Sequence, residues 1–219
     1  VHHVKPGHRI IFTGESVSEE CWWDVNKVKT VVKSESEWAK EFYSLLDDAV
    51  RIRMRSDVQF GAFLSGGVDS STVVGMMSKH IDEPVKTFNI GFSDPKYDES
   101  HFALDIANRF GCDHYSEVVE SNLLEQWSDA IYYCDQPHGD VSFLPTKKVS
   151  DIASREVKMV LTGDGADELF AGYDKYKYFF SKFDEASNLE GFRSSYADNI
   201  TLFKDELKVK LYSSAFFKN

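Results

Sequence analysis

Apolar positions along this chain follow two alternating rhythms. Residues 58–64, VQFGAFL, form a short apolar run that stops at glycines, the pattern of a parallel strand buried on both faces. Residues 69–79 then place Val73, Val74, Met76 and Met77 on one face of a helix. The alternation repeats. VKTFNIGF (85–92) reads as a second strand, and 98–110 as a helix with Phe102, Ala103, Ile106, Ala107 and Phe110 inward and Gly111 at its C-terminal stop. A third strand over 114–119, helices over 122–134 and 144–154, and a fourth strand, VKMVLTG (157–163), complete the series. Strands alternating with helices of this length predict an α/β fold, a doubly wound parallel sheet with flanking helices. In such a sheet ligands belong at the carboxyl ends of the strands, where the turns after Leu64 and Leu161 lie.

The flanks are less regular. Residues 1–33 have weak patterning, a KPGHRI turn and short β-prone pieces, and read as a junction. A long helix follows, opened by Ser34 and Glu37 at capping-box spacing, with Trp38, Phe42, Leu45, Leu46, Ala49 and Ile52 along one face. Beyond Tyr173 the chain becomes polar and aromatic with loose helical spacing.

Composition narrows the function classes. The chain has 219 residues, 42% of them hydrophobic, enough for a real core, and a formal net charge of −11 without a basic cluster, which argues against nucleic-acid partners. Cys21, Cys112 and Cys134 are too scattered for a zinc site or a disulfide framework, so a reducing cytoplasm is expected. No apolar run approaches the roughly 20 residues of a membrane span, so no membrane partner is expected either.

The chemistry concentrates in two glycine turns. In SGGVDSS, Gly66 and Gly67 let the backbone come close to a ligand, and the N–H groups opening the next helix favour an anion, with the Ser65, Ser70 and Ser71 hydroxyls as further hydrogen-bonding groups. Phosphate is the natural guest, yet the lysine of a P-loop is missing. Asp69 beside phosphates calls for a divalent cation, and Mg²⁺ is commonly held by one or two carboxylates plus phosphate oxygens and water. The second turn, LTGDGADELFAGY, offers Asp164, Asp167 and Glu168. Asp167 is the expected partner of Asp69, with Asp164 toward substrate. Either turn alone reads more simply as a helix cap or a surface loop; the pair, both at strand ends of one sheet, favours a site.

These residues carry a family resemblance. SGGVDSS resembles the pyrophosphate-binding loop of the ATP pyrophosphatases, a group that includes asparagine, GMP, NAD and argininosuccinate synthetases and tRNA-modifying enzymes. LTGDGADELFAGYDKY is similar to the asparagine-synthetase segment S-G-[DE]-G-x-D-E-x-F-G-G-Y, with Thr162 for Ser and Ala171 for Gly. DQPHGDVSFLPT resembles that family's D-E-P-x-x-D-x-S-x-x-P stretch, with Gln136 for Glu. VKPGHRI followed by CWWDV resembles the junction leaving the family's glutaminase domain.

The resemblance implies an ATP pyrophosphatase type of sheet with ATP and Mg²⁺ as cofactors. It implies Leu64 and Ile90 beside the adenine and ribose, and Ser65, Gly66, Gly67, Asp69 and Ser70 around the phosphates. Thr162 and Gly163 would lie near the nucleotide and Asp164 near the carboxylate substrate. Asp69 and Asp167 would hold the metal, making Asp69, Asp164 and Asp167 the catalytic set, with Glu168 in support. The implied activity adenylates a carboxylate, the aspartate side chain first, for attack by ammonia. A relative acting on another carboxylate, a nucleotide-binding module without full activity and an RNA-modifying enzyme are the alternatives.

The implied organisation is a junction over 1–33, a synthetase domain over 34–180 and the start of an incomplete helical part over 181–219, with a glutaminase domain or subunit as partner and a homodimer left open. Cys21 is read as structural and not as a glutaminase nucleophile. His114 and His138 read as packing or surface residues. Asp98 and Glu99 read as helix-opening acids, with an approach to ribose as the lesser reading. Lys175 and Lys177 follow the second turn without a motif that sets either apart from a surface lysine.

Overall fold

The structure is a computed structural model that describes residues 3–119, 123–135, 140, 142–183, 189–201 and 204–211. The predicted Gln136 and His138 positions and the expected helix start at Asn122 lie outside the described residues. The chain divides into two compact units, Val1–Asp48 and Ala49–Asn219.

In the first unit, β1 (His8–Phe12) and β2 (Val17–Cys21) pair the short β-prone pieces expected there into an antiparallel hairpin. Arg9 and Glu20 face each other across it, and the guanidinium donates from Nε at 3.0 Å and Nη2 at 2.8 Å to Glu20 Oε2. The helix α1 (Glu35–Arg53) begins in this unit with the predicted capping box. Glu37 Oε2 accepts from Ser34 N at 2.9 Å, and Glu37 N donates back to Ser34 Oγ at 3.4 Å. The apolar stripe of α1 is present but open: Trp38, Phe42, Leu45 and Ile52 are all exposed.

The second unit carries the sheet. β3 (Phe60–Phe63), β4 (Lys86–Phe92), β5 (Asp113–Val119) and β6 (Met159–Leu161) lie in the order β5-β4-β3-β6, every pair parallel. The α/β parallel sheet expected from the alternation is therefore the observed architecture. The connecting helices are α2 (Val68–Met77) and α3 (Ser100–Phe110), then α4 (Trp127–Tyr133) and α5 (Phe143–Ser154). The predicted 122–134 helix is shorter because residues Leu123–Gln126 wind as a 3₁₀ turn before α4.

Right-handed crossovers explain the layering. The chain moves outward from β3 through β4 to β5, then returns past β3 to β6, which places α2 and α3 on one face and α5 on the other. Alternation along β4 matches. Phe88 packs with Val149, Ile152, Ala153 and Val157 on the α5 side, while Thr87 and Asn89, pointing the opposite way, are buried too. The reversal of direction falls between β3 and β6, the topological switch point where an open α/β sheet leaves a crevice. After β6 the chain forms α6 (Ala166–Phe170), α7 (Asp174–Lys182), α8 (Leu189–Ile200) and α9 (Asp205–Leu211).

Candidate active site

The crevice at the switch point is a cleft of about 450 Å³, walled by the two glycine turns. From the first turn it is lined by Ser65, Asp69 and Ser70, and from the second by Thr162, Gly163, Asp164, Asp167 and Glu168. Eight residues singled out from sequence, separated by about a hundred positions, thus share one cavity.

The first turn is braced by hydroxyls. Ser65 and Ser70 bond through their Oγ atoms at 2.9 Å, Ser65 N donates to Ser70 Oγ at 3.2 Å, and Gly67 N donates to Ser65 Oγ at 3.2 Å. Gly66 takes a φ of +85°, which an L side chain rarely adopts. Gly67 is the N-cap of α2 without a side-chain cap bond, so the leading N–H groups of that helix lack a side-chain partner. The Ser71 Oγ, another hydroxyl of this turn, is buried and has no hydrogen-bond partner among the described residues.

Contact between the turns depends on Gly163. A Cβ there would stand 2.7 Å from Ser70 N and 3.0 Å from Asp69 Cβ, so only glycine lets the second turn rest on the start of α2. Within the second turn, Thr162 Oγ1 donates to Asp164 Oδ2 at 2.9 Å and fixes that carboxylate. Gly165, at φ +94°, caps α6, and Asp167 and Glu168 sit in the helix's first turn.

Three lining residues, Phe63, Gly165 and Tyr173, escaped the sequence reading. Phe63 ends β3, and Tyr173 comes from the turn after α6. Tyr173 donates its hydroxyl to Glu168 Oε1 at 3.0 Å, and that bond to an anion, with some burial, pushes the phenol up to about 12. Asn89 also went unremarked: its buried amide donates to Leu64 O at 2.9 Å and braces the backbone just before the first turn. A polar residue inside the apolar strand KTFNIGF was the available signal.

Other predicted residues lie elsewhere. Gly66 and Gly67 shape the first turn without lining the cleft. Leu64 is buried, its N–H donating to Phe88 O, and Ile90 is half-buried against the Phe88 cluster. Asp98 accepts from Phe92 N at 3.2 Å and from Ser100 N and Oγ, bonds that hold its carboxyl below the usual range and tie the end of β4 to the start of α3. His114 bonds Thr87 Oγ1 at 2.9 Å through Nδ1, away from the cleft, and burial lowers its basicity.

The donor set suits a divalent cation. Four carboxylates line the cleft with no lysine, arginine or histidine among the lining residues, a charge that phosphate alone would worsen. Among the described residues no three His, Cys, Asp or Glu side chains come together as a metal-binding group. Among the described residues, no helix is long and apolar enough to cross a membrane.

Residues 41–218 match the family profile described as asparagine synthase. A Methanocaldococcus jannaschii protein provisionally named glutamine-hydrolyzing asparagine synthetase 2 is 43% identical over 154 residues, 69% of this chain and 30% of that protein. Glutamine-hydrolyzing asparagine synthetase 1 of Bacillus subtilis is 32% identical over 81% of this chain and 28% of its own length, and Amidase chyE of Penicillium rubens is 32% identical over 81% and 29%. Among solved structures, the NH3-dependent NAD synthetase of Campylobacter jejuni aligns with a TM-score of 0.40 at 16% identity, over 64% of this chain and 61% of that one. The chain thus spans under a third of the length of these curated relatives, and over that span it belongs to the asparagine synthase family.

Proposed function

We propose that this chain is the ATP-using part of an amide-forming synthetase, which adenylates a carboxylate, the aspartate side chain first, for attack by ammonia. The observation that carries the reading is the meeting of Asp69 and Asp167 in one cleft beside the open start of α2. Family membership supports the reaction class, and the domain limits of 34–180 and 181–219, with a glutaminase domain or subunit as ammonia source, belong to the same proposal.

In this reading the triphosphate lies along Ser65–Ser70, with the hydroxyls and the leading N–H groups of α2 as donors. Asp69 and Asp167 would hold Mg²⁺, which when bound offsets the charge growing on pyrophosphate. Leu64 and Ile90, the implied adenine neighbours, lie outside the cleft lining, so the base would extend across the strand ends toward β4. Asp164, pinned by Thr162, is the group left to orient the amino-acid substrate.

The chemistry balances without a nucleophilic side chain. A substrate carboxylate oxygen attacks the α-phosphorus as the bond to pyrophosphate breaks; ammonia then adds to the acyl carbon, loses a proton and expels AMP. The protein's part is positioning and electrostatics.

Pyrophosphate release from MgATP by the intact protein, measured with aspartate and a panel of other carboxylic acids, is the test. Release stimulated by aspartate is expected. The Amidase chyE likeness motivates the second reading, a different acid substrate, and stimulation by another acid would establish it. The Asp69→Asn, Asp167→Asn double variant should lose at least about tenfold in MgATP affinity by calorimetry, and an unchanged affinity would sink the site.

A further inference from the structure

We propose that Asn89 is a positioning residue of the cleft: its amide ends the β3–β4 ladder at Phe63 and so keeps Leu64 and the turn that follows in the shape that receives a nucleotide. The inference rests on the nucleotide reading above and names what holds that turn out of the sheet.

The register shows where the ladder would go. Gly61, Ala62 and Phe63 align with Lys86, Thr87 and Phe88, and Leu64 N still donates to Phe88 O at 2.9 Å, so one further rung would pair Leu64 with Asn89. In a parallel ladder that rung is closed by Ile90 N–H donating to Leu64 O. The Asn89 side chain reaches that carbonyl instead, with Nδ2 at 2.9 Å, and β3 ends at Phe63. A carbonyl only accepts, so the nitrogen end of the amide must face Leu64, while the oxygen end accepts from Ser116 Oγ on β5 at 3.3 Å. Both ends of this buried amide are used.

The next backbone group is diverted in the same way. Leu64 turns its N–H toward β4, so Ser65, one residue on, faces the β6 side, yet Ser65 N donates to Ser70 Oγ at 3.2 Å and not to a strand. Two side chains, one from β4 and one from α2, thus take the groups that a longer β3 would have spent on its neighbours. Leu64 is itself buried, so its carbonyl needs a partner whichever way the chain runs. Without the Asn89 amide the ladder donor for it is Ile90 N–H, and accepting from that group would draw Leu64 into the sheet and shift the first turn toward β4.

Amide hydrogen exchange and MgATP calorimetry on the intact protein test the assignment together. Asn89→Leu keeps a side chain of similar size and removes its hydrogen bonds. Exchange at the Ile90 amide, measured without ligand, should slow about tenfold as that N–H takes the carbonyl, and MgATP should bind about tenfold more weakly. A loss of bracing alone would move exchange the other way. Ile90 exchange unchanged or faster in the folded variant overturns the proposal, and slowed exchange with unchanged MgATP affinity overturns the positioning role while leaving the nucleotide reading intact. If Asn89→Leu does not fold, Ser116→Ala, which frees the amide to turn, should give both shifts at about threefold, and wild-type values in both overturn the proposal. A wild-type protein that does not bind MgATP removes the nucleotide reading and the positioning role with it, and Ile90 exchange then still decides whether Asn89 ends the strand.

Discussion

The two turns that wall the cleft are built on opposite plans. The first is held by neutral hydroxyl and backbone bonds, with Ser65 and Ser70 bracing each other and one acid, Asp69, at its end. The second concentrates Asp164, Asp167 and Glu168 and restrains two of them through the hydroxyls of Thr162, within the turn, and Tyr173, beyond it. One turn supplies shape and donors, the other supplies charge. A cleft of this kind depends on the separation between the turns more than on either alone, because neutral donors and acids must address the same ligand.

The sharpest way to break the pairing is at their contact. Gly163→Val should drive a side chain into the backbone at Ser70, destabilise the fold by about 2 kcal/mol and reduce nucleotide affinity by roughly a hundredfold, read by thermal melting and calorimetry. Wild-type affinity in this variant would mean that the turns act independently. Weakening the first turn alone should matter less. Ser70→Ala removes bonds to Ser65 N, Ser65 Oγ and Gly67 O and should cost about 1 kcal/mol, a melting shift of about 2–4 °C.

The smallest effect belongs to the restraint on Glu168. Tyr173, raised to about 12, stays protonated in the folded chain while an unfolded tyrosine ionises near 10. The stability it adds is therefore complete below about 10 and is lost as pH rises through about 12. Phenolate absorbance should show late-titrating tyrosines, Tyr115 and Tyr196 beside Tyr173, and one fewer of them in Glu168→Gln. No change between the two proteins would remove Glu168 as the cause.

Much of this arrangement was legible in the sequence, for identifiable reasons. The sheet announces itself because buried parallel strands are short and continuously apolar, and the helices between them keep a 3.6-residue stripe. The glycines mark the turns because other residues do not fit there. Boundaries were less accessible: the last strand, expected over 157–163, is only Met159–Leu161. Val157 is spent on the α5 core cluster and Gly163 on the turn contact, neither of which periodicity records. Residues 8–21 were read only as β-prone pieces, without their pairing, because HRIIF and VSEEC alternate poorly. On α1 the stripe was read correctly as a face, but periodicity says nothing of what covers it, and Trp38, Phe42, Leu45 and Ile52 are exposed. Tyr173 was invisible for another reason, since its place at the cleft rests on how α6 ends, at Ala171 with φ +54°.

The pairing of β3 with β6 has a further consequence. Phe60, Gly61 and Ala62 align with Met159, Val160 and Leu161, so Ser65 and Asp164 each start three residues past the last matched rung. The sheet works as a ruler. Deleting one residue from β6 would retract the acidic arm by about 3.3 Å and turn its side chains to the opposite face, while every bond within that arm survived. Lengthening or trimming the distant helices would leave the ruler untouched, and such changes are the ones this scaffold can absorb.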